Sequence, residues 1–126
     1  MASTLLNKIN RQWSAVVCWA LTLFVLSVIP SRNLPRINIW DDLISTDKLA
    51  HAFVYGVFAV LLYQALKSQS RYAALLATSL AIFFGATMEL LQAVINTGRS
   101  YDLADMLANS IGALVGISLL RIFKRT

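Results

Sequence analysis

Four apolar stretches of about the length needed to cross a bilayer as helices leave this chain few ways to fold. They cover residues 13–29, 48–66, 72–95 and 102–123. A span in lipid has no water to satisfy its backbone, so only helices or a closed barrel are viable. The alternating apolar and polar pattern of barrel strands is missing here. The chain is 126 residues long, 58% hydrophobic and 13% charged, against about 45–50% and about 25% in soluble domains. A soluble chain of this size has too little interior for that apolar excess. The expectation is one all-α domain over residues 1–126, a polytopic bundle of four transmembrane helices.

Charge supports the same class. The net charge is +5, but the basic residues sit at the ends of apolar runs, not along one polar surface, so nucleic acid is not an expected partner. Lys8 and Arg11 precede the first stretch, which is long for a signal peptide and has no small-x-small site before Pro30; a retained span is expected. The single cysteine, Cys18, lies inside an apolar run and reads as a packing residue. It excludes an internal disulfide and any cysteine-based metal motif.

The basic residues also orient the bundle. If four spans alternate, Lys8, Arg11, Lys67, Arg71, Arg121, Lys124 and Arg125 fall on one side, seven of the eleven basic residues. The positive-inside rule then puts both termini and the 67–71 turn in the cytoplasm. The connections at 30–46 and 96–101 face outward. Trp13, Trp19 and Trp40 read as interface anchors or packing residues.

With this topology the polar residues of three spans reach one depth. The second span carries Asp47, Lys48, His51 and Tyr55 in its first turns, the third carries Glu89 and Gln92 in its last turns, and the fourth starts with Asp102, Asp105 and Asn109. Arg99 lies in the connection between the last two. Asp47, His51 and Tyr55 step by four and share a helix face. Asp102, Asp105, Asn109, Gly112 and Gly116 fall within an arc of roughly 80° at 3.6 residues per turn. Gly112 and Gly116 form a G-x-x-x-G, a signature of close helix approach in membranes, so the polar stripe of this span points into the bundle.

Glu89 is the sharpest residue, lying roughly 10 Å below the 96–101 connection at 1.5 Å per residue. Intramembrane charge costs at least about 2.5–3.5 kcal/mol, and such residues mark functional sites by default. The alternative is a Glu–Arg or Glu–His pair that fixes helix register. His51 is equally readable as a structural staple or as an acid/base or ligand group. Asp102 and Asp47 have a capping alternative, and Lys48 a snorkelling one. Asp105 and Asn109 lie deeper than capping explains.

The residues Asp47-Lys48-x-x-His51-x-x-x-Tyr55-Gly56, Glu89-x-x-Gln92, and Gly98-Arg99-x-x-Asp102-x-x-Asp105-x-x-x-Asn109-x-x-Gly112-x-x-x-Gly116 together resemble the VanZ-like family of bacterial membrane proteins. The match covers about residues 47–116. Asn96-Thr97 stand where a Pro near that position is expected in the family. The resemblance implies a multi-pass protein of the bacterial cytoplasmic membrane, linked to teicoplanin resistance. It carries a pattern, not a chemistry, to Asp47, Lys48, His51, Glu89, Gln92, Arg99, Asp102, Asp105 and Asn109.

The leading expectation is an outward-facing polar site for a cell-envelope amphiphile or lipid-linked precursor. Arg99 and Lys48 would hold an anionic group, above Glu89, His51 and Asp105. A glycopeptide-related ligand belongs to the same class. One alternative is a membrane-embedded acid/base or metal-dependent enzyme acting on an envelope lipid, with His51, Glu89 and Asp105 as catalytic candidates. No recognised motif such as H-E-x-x-H is present, and neither a cofactor nor metal ligands are assigned. The other alternative is a structural or partner-binding membrane protein.

Overall fold

The computed structural model describes residues 1–29, 46–95 and 102–124. These residues form four helices: α1 (Ala2–Val28), α2 (Thr46–Leu66), α3 (Ala73–Ile95) and α4 (Leu103–Phe123). All four are long and apolar enough to cross a membrane. The ends of α2, α3 and α4 fall within two residues of the expected ones, but α1 starts 11 residues early, at Ala2 and not Trp13. No Gly or Pro interrupts residues 2–28, so the polar stretch around Lys8 and Arg11 continues the helix instead of ending it. At the other end, Ile29 is extended (φ −67°, ψ 127°), as the residue before a proline is forced to be.

The turn between α2 and α3 closes on its own polar groups. The Gln69 and Ser70 amides donate to the Leu66 carbonyl, and the Ser70 hydroxyl accepts from the Tyr72 amide at 3.1 Å. At the start of α4, Asp102 is the N-cap, its carboxylate accepting from the Ala104 amide at 2.8 Å. Hydroxyls within the spans return to their own helices: Thr22, Thr78, Thr87, Ser110 and Ser118 each donate to the carbonyl four residues earlier. That leaves no hydroxyl donor facing hydrocarbon at these positions.

Packing follows the small residues. The most extensive pairing is α2 with α4, because Gly112 and Gly116 lie directly against the backbone of Ala52 and Gly56. Alanines let α3 approach in the same manner: Ala74, Ala77 and Ala81 are buried with Ala59 and Ala113 in one core. The other side of α2 and α3 is covered by α1, which among the described residues does not meet α4. The Trp19 indole N–H donates to the Val54 carbonyl at 3.0 Å and fixes α1 on α2. Large apolar side chains such as Leu21, Phe53, Phe83, Val94 and Ile111 are exposed, which is a liability in water and the natural finish of a surface in lipid. Cys18 is among the exposed residues, so it faces outward from α1 and is not the packing residue its apolar run suggests.

Candidate functional site

The start of α2, the end of α3 and the start of α4 meet at one end of the bundle, and His51 stands at the centre. Its Nδ1 lies 2.9 Å from the Asn109 amide oxygen. An amide oxygen only accepts, so Nδ1 carries the proton and donates. Glu89 Oε1 is 4.0 Å from the same nitrogen. On the other edge of the ring, Nε2 lies 4.0 Å from Asp47 Oδ1 and 3.9 Å from Asp105 Oδ2. The i, i+4 spacing of Asp47 and His51 thus yields a real juxtaposition. Carboxyl groups from all three helices surround one imidazole.

Lys48 ties α2 to α4. Its ammonium donates to Asp105 Oδ1 at 2.8 Å and to Asp102 Oδ2 at 3.1 Å. The backbone amide of Ala104 first, and then Lys48, hold the Asp102 carboxyl below the usual carboxylate range. A lowered carboxyl pKa stabilises the fold above the group's unfolded value, and this contribution is lost as pH falls through the folded one. Asp102 therefore combines the capping role with a charge bridge. Lys48→Met is expected to lower the melting temperature of the purified protein by leaving two carboxylates facing each other. Adding Asp105→Asn to that variant should restore part of the loss, as a double-mutant cycle would register.

Beneath this rim, Glu89 and Asn109 are each 1% exposed. The Asn109 amide nitrogen has no hydrogen-bond partner among the described residues. Gly85 makes room for it: a Cβ there would lie 3.1 Å from that nitrogen and 3.1 Å from the Tyr55 ring. A cavity of about 170 Å³ opens between α1, α2 and α3, with Asp47, His51, Tyr55, Glu89 and Gln92 on its polar side and Leu23, Leu26 and Val54 on its apolar side. That volume takes several waters or one polar group of a larger ligand.

Of the sequence candidates, Asp47, His51, Glu89 and Gln92 line the cavity. Lys48, Asp102, Asp105 and Asn109 form the α2–α4 side of the cluster behind His51. Arg99 lies outside the described residues, as do Trp40 and most of the 30–46 connection. Two contributors were not singled out as site residues. Tyr55 is buried against Phe58 in an edge-on ring contact (centroids 6.4 Å apart) and faces the cavity. Ser27 is buried at the end of α1 and also lines it. Tyr55 was visible as the third member of the i, i+4 series. Ser27 was visible only as an isolated hydroxyl near the end of an apolar run.

The arrangement offers an imidazole with one nitrogen held and the other open, a buried carboxyl group and amide in Glu89 and Asn109, and further carboxyl groups that reach the exposed rim at Asp47. It can accept hydrogen bonds, move protons at His51 Nε2, or hold a cation between Asp47, His51 and Asp105, whose donor atoms all lie within 4.8 Å of one another. Comparison with curated proteins and with solved structures gives no match. The VanZ/LLP1 family model matches residues 4–124, nearly the whole chain and well beyond the 47–116 stretch that carries the motifs. A four-helix membrane bundle whose second, third and fourth helices bring these motif residues together thus belongs to the VanZ/LLP1 family.

Proposed function

We propose that this protein binds the polar group of a cell-envelope amphiphile, such as a lipid-linked precursor, from the outer leaflet of a bacterial cytoplasmic membrane, and that it contributes in this way to teicoplanin resistance. The observation that carries the reading is the cavity between α1, α2 and α3, with buried Glu89 and half-buried His51 on one wall and leucines on the other. A purely structural network would fill its own interior, whereas this one borders a space of ligand-group size. Both termini are assigned to the cytoplasm on the distribution of basic residues, which turns the cavity outward.

The lining supplies acceptors in the carboxyl groups of Asp47 and Glu89, beside groups that can both donate and accept in Gln92, Tyr55 and Ser27. The acceptors suit hydroxyl or ammonium groups of a ligand. An anionic portion belongs nearer Lys48, which is about one-third exposed and already shared by two aspartates, and nearer Arg99. In cells that depend on this protein for teicoplanin protection, His51→Ala and Gln92→Ala are expected to abolish most of that protection at unchanged protein levels. Full protection in both variants would remove the cavity from the mechanism.

The enzyme reading is supported by His51, which sits within 4.0 Å of three carboxyl groups. It differs in outcome: the recovered amphiphile would be chemically altered in wild-type membranes and unaltered in His51→Ala membranes.

A further inference from the structure

The rim of the cavity has a feature that amphiphile binding does not require. His51 Nδ1 is engaged with the Asn109 oxygen, and Nε2 lies 4.0 Å from Asp47 Oδ1 and 3.9 Å from Asp105 Oδ2. Three possible ligand atoms from two helices converge within 4.8 Å of one another, at separations from the ring nitrogen too long for direct hydrogen bonds. An ion placed among them would meet all three at once. Lys48 does not fill that place: it is bound to the other oxygen of Asp105.

We infer that Asp47, His51 and Asp105 form a site for a divalent first-row metal ion such as Zn²⁺. One imidazole with two carboxylates is a donor set suited to such ions, and three protein ligands leave a position open for water or a ligand atom. Bonds of about 2.0–2.2 Å around a tetrahedral ion would place the donors roughly 3.4 Å apart, so the triad need only draw together. Asp47, whose side chain is 59% exposed, is free to swing inward.

Asn109 is the independent observation. A metal-bound histidine almost always gives its other N–H to a fixed acceptor, which sets the tautomer and the ring orientation. Asn109 provides that acceptor from a position 1% exposed, and the glycine at position 85 leaves the space for its amide. On the opposite oxygen of Asp105, Lys48 fixes the carboxylate in the same way. Because Asp47 and His51 also line the cavity, an ion held there would border it. The ion would bring positive charge to a wall otherwise rich in carboxyl groups. The site is nonetheless defined by its own three residues, and its existence does not depend on which ligand the cavity takes.

The test is metal binding by the purified full-length protein in detergent. After exposure to Zn²⁺ and removal of excess, elemental analysis should find about one ion per chain. With Co²⁺, visible absorption bands of a low-symmetry histidine–carboxylate complex should appear. His51→Ala should abolish both signals, and Asn109→Ala should weaken binding by about 10–100-fold, as loss of a metal ligand's outer partner does. Asp47→Asn is the variant least able to harm the fold, since this residue is exposed, and it too should bind at least tenfold more weakly with an unchanged helical spectrum and elution volume. Absence of stoichiometric ion in the wild-type protein, or an ion retained in both His51→Ala and Asp47→Asn, would overturn the assignment.

Discussion

Gly112→Leu is expected to separate α4 from α2 and to leave little protein that elutes as a single species in mild detergent. A Cβ at position 112 would lie 2.0 Å from the Ala52 carbonyl oxygen and 2.6 Å from its carbonyl carbon. These are backbone atoms in the middle of a helix, which no rotamer change can move aside. Even Gly112→Ala must push the two helices apart by more than an ångström along their closest line. Overpacking of a tight core costs typically 1–3 kcal/mol where side chains can yield, so a loss of about 3 kcal/mol or more is expected where they cannot. Gly116→Ala meets the Gly56 carbonyl oxygen at 2.6 Å and should rank second. Gly85→Ala meets only side chains, the nearest at 3.1 Å, and should be the mildest. Thermal melting of the three alanine variants measures the order. The effect reaches the site as well, because the same α2–α4 contact holds Lys48 against Asp105 and His51 against Asn109.

Glu89→Gln should have a large effect of the opposite kind: loss of ligand retention with the bundle intact. The side chain keeps its length and its carbonyl acceptor, so packing at this 1% exposed position changes little. What disappears is the ionisable group, which costs about 2.5–3.5 kcal/mol to hold charged at membrane depth. Removing that cost should leave thermal stability equal or higher, as happens when a functional site is relieved of an expensive group. If the carboxyl group instead served only to hold the helices, stability and activity would fall together. Melting temperature and ligand content measured on the same preparation separate the two.

The membrane fold was legible because lipid imposes one dominant rule. Four runs of sufficient length specified four helices, and the ends of α2, α3 and α4 were marked by Asp102, the 67–71 turn and the polar residues after Ile95. The early start of α1 was not legible from hydropathy, since residues 2–12 are helical without being apolar. Within the site, i, i+4 spacing was enough to place Asp47 beside His51, and the G-x-x-x-G enough to turn Asp105 and Asn109 inward. The choice of partners was beyond it. Helical periodicity gives a face, but which side chain bonds which is set by the α2–α4 register, and that depends on contacts as local as Gly112 against Ala52. Hence Lys48, first read as an anion-binding group or a snorkelling residue, is found on two aspartates. Hence also the contribution of α1 through Leu23, Leu26 and Ser27 carried almost no advance signal.

The cavity's role as a binding site is tested most directly by what it carries out of the membrane. Wild-type protein and Glu89→Gln, extracted gently from membranes of the same host cells, can be compared by mass spectrometry of their bound lipids. Near-stoichiometric co-purification of one envelope amphiphile with the wild type, reduced at least tenfold in the variant, is the expected result. The same bulk membrane lipids at the same levels in both preparations, with no enriched species, would contradict it.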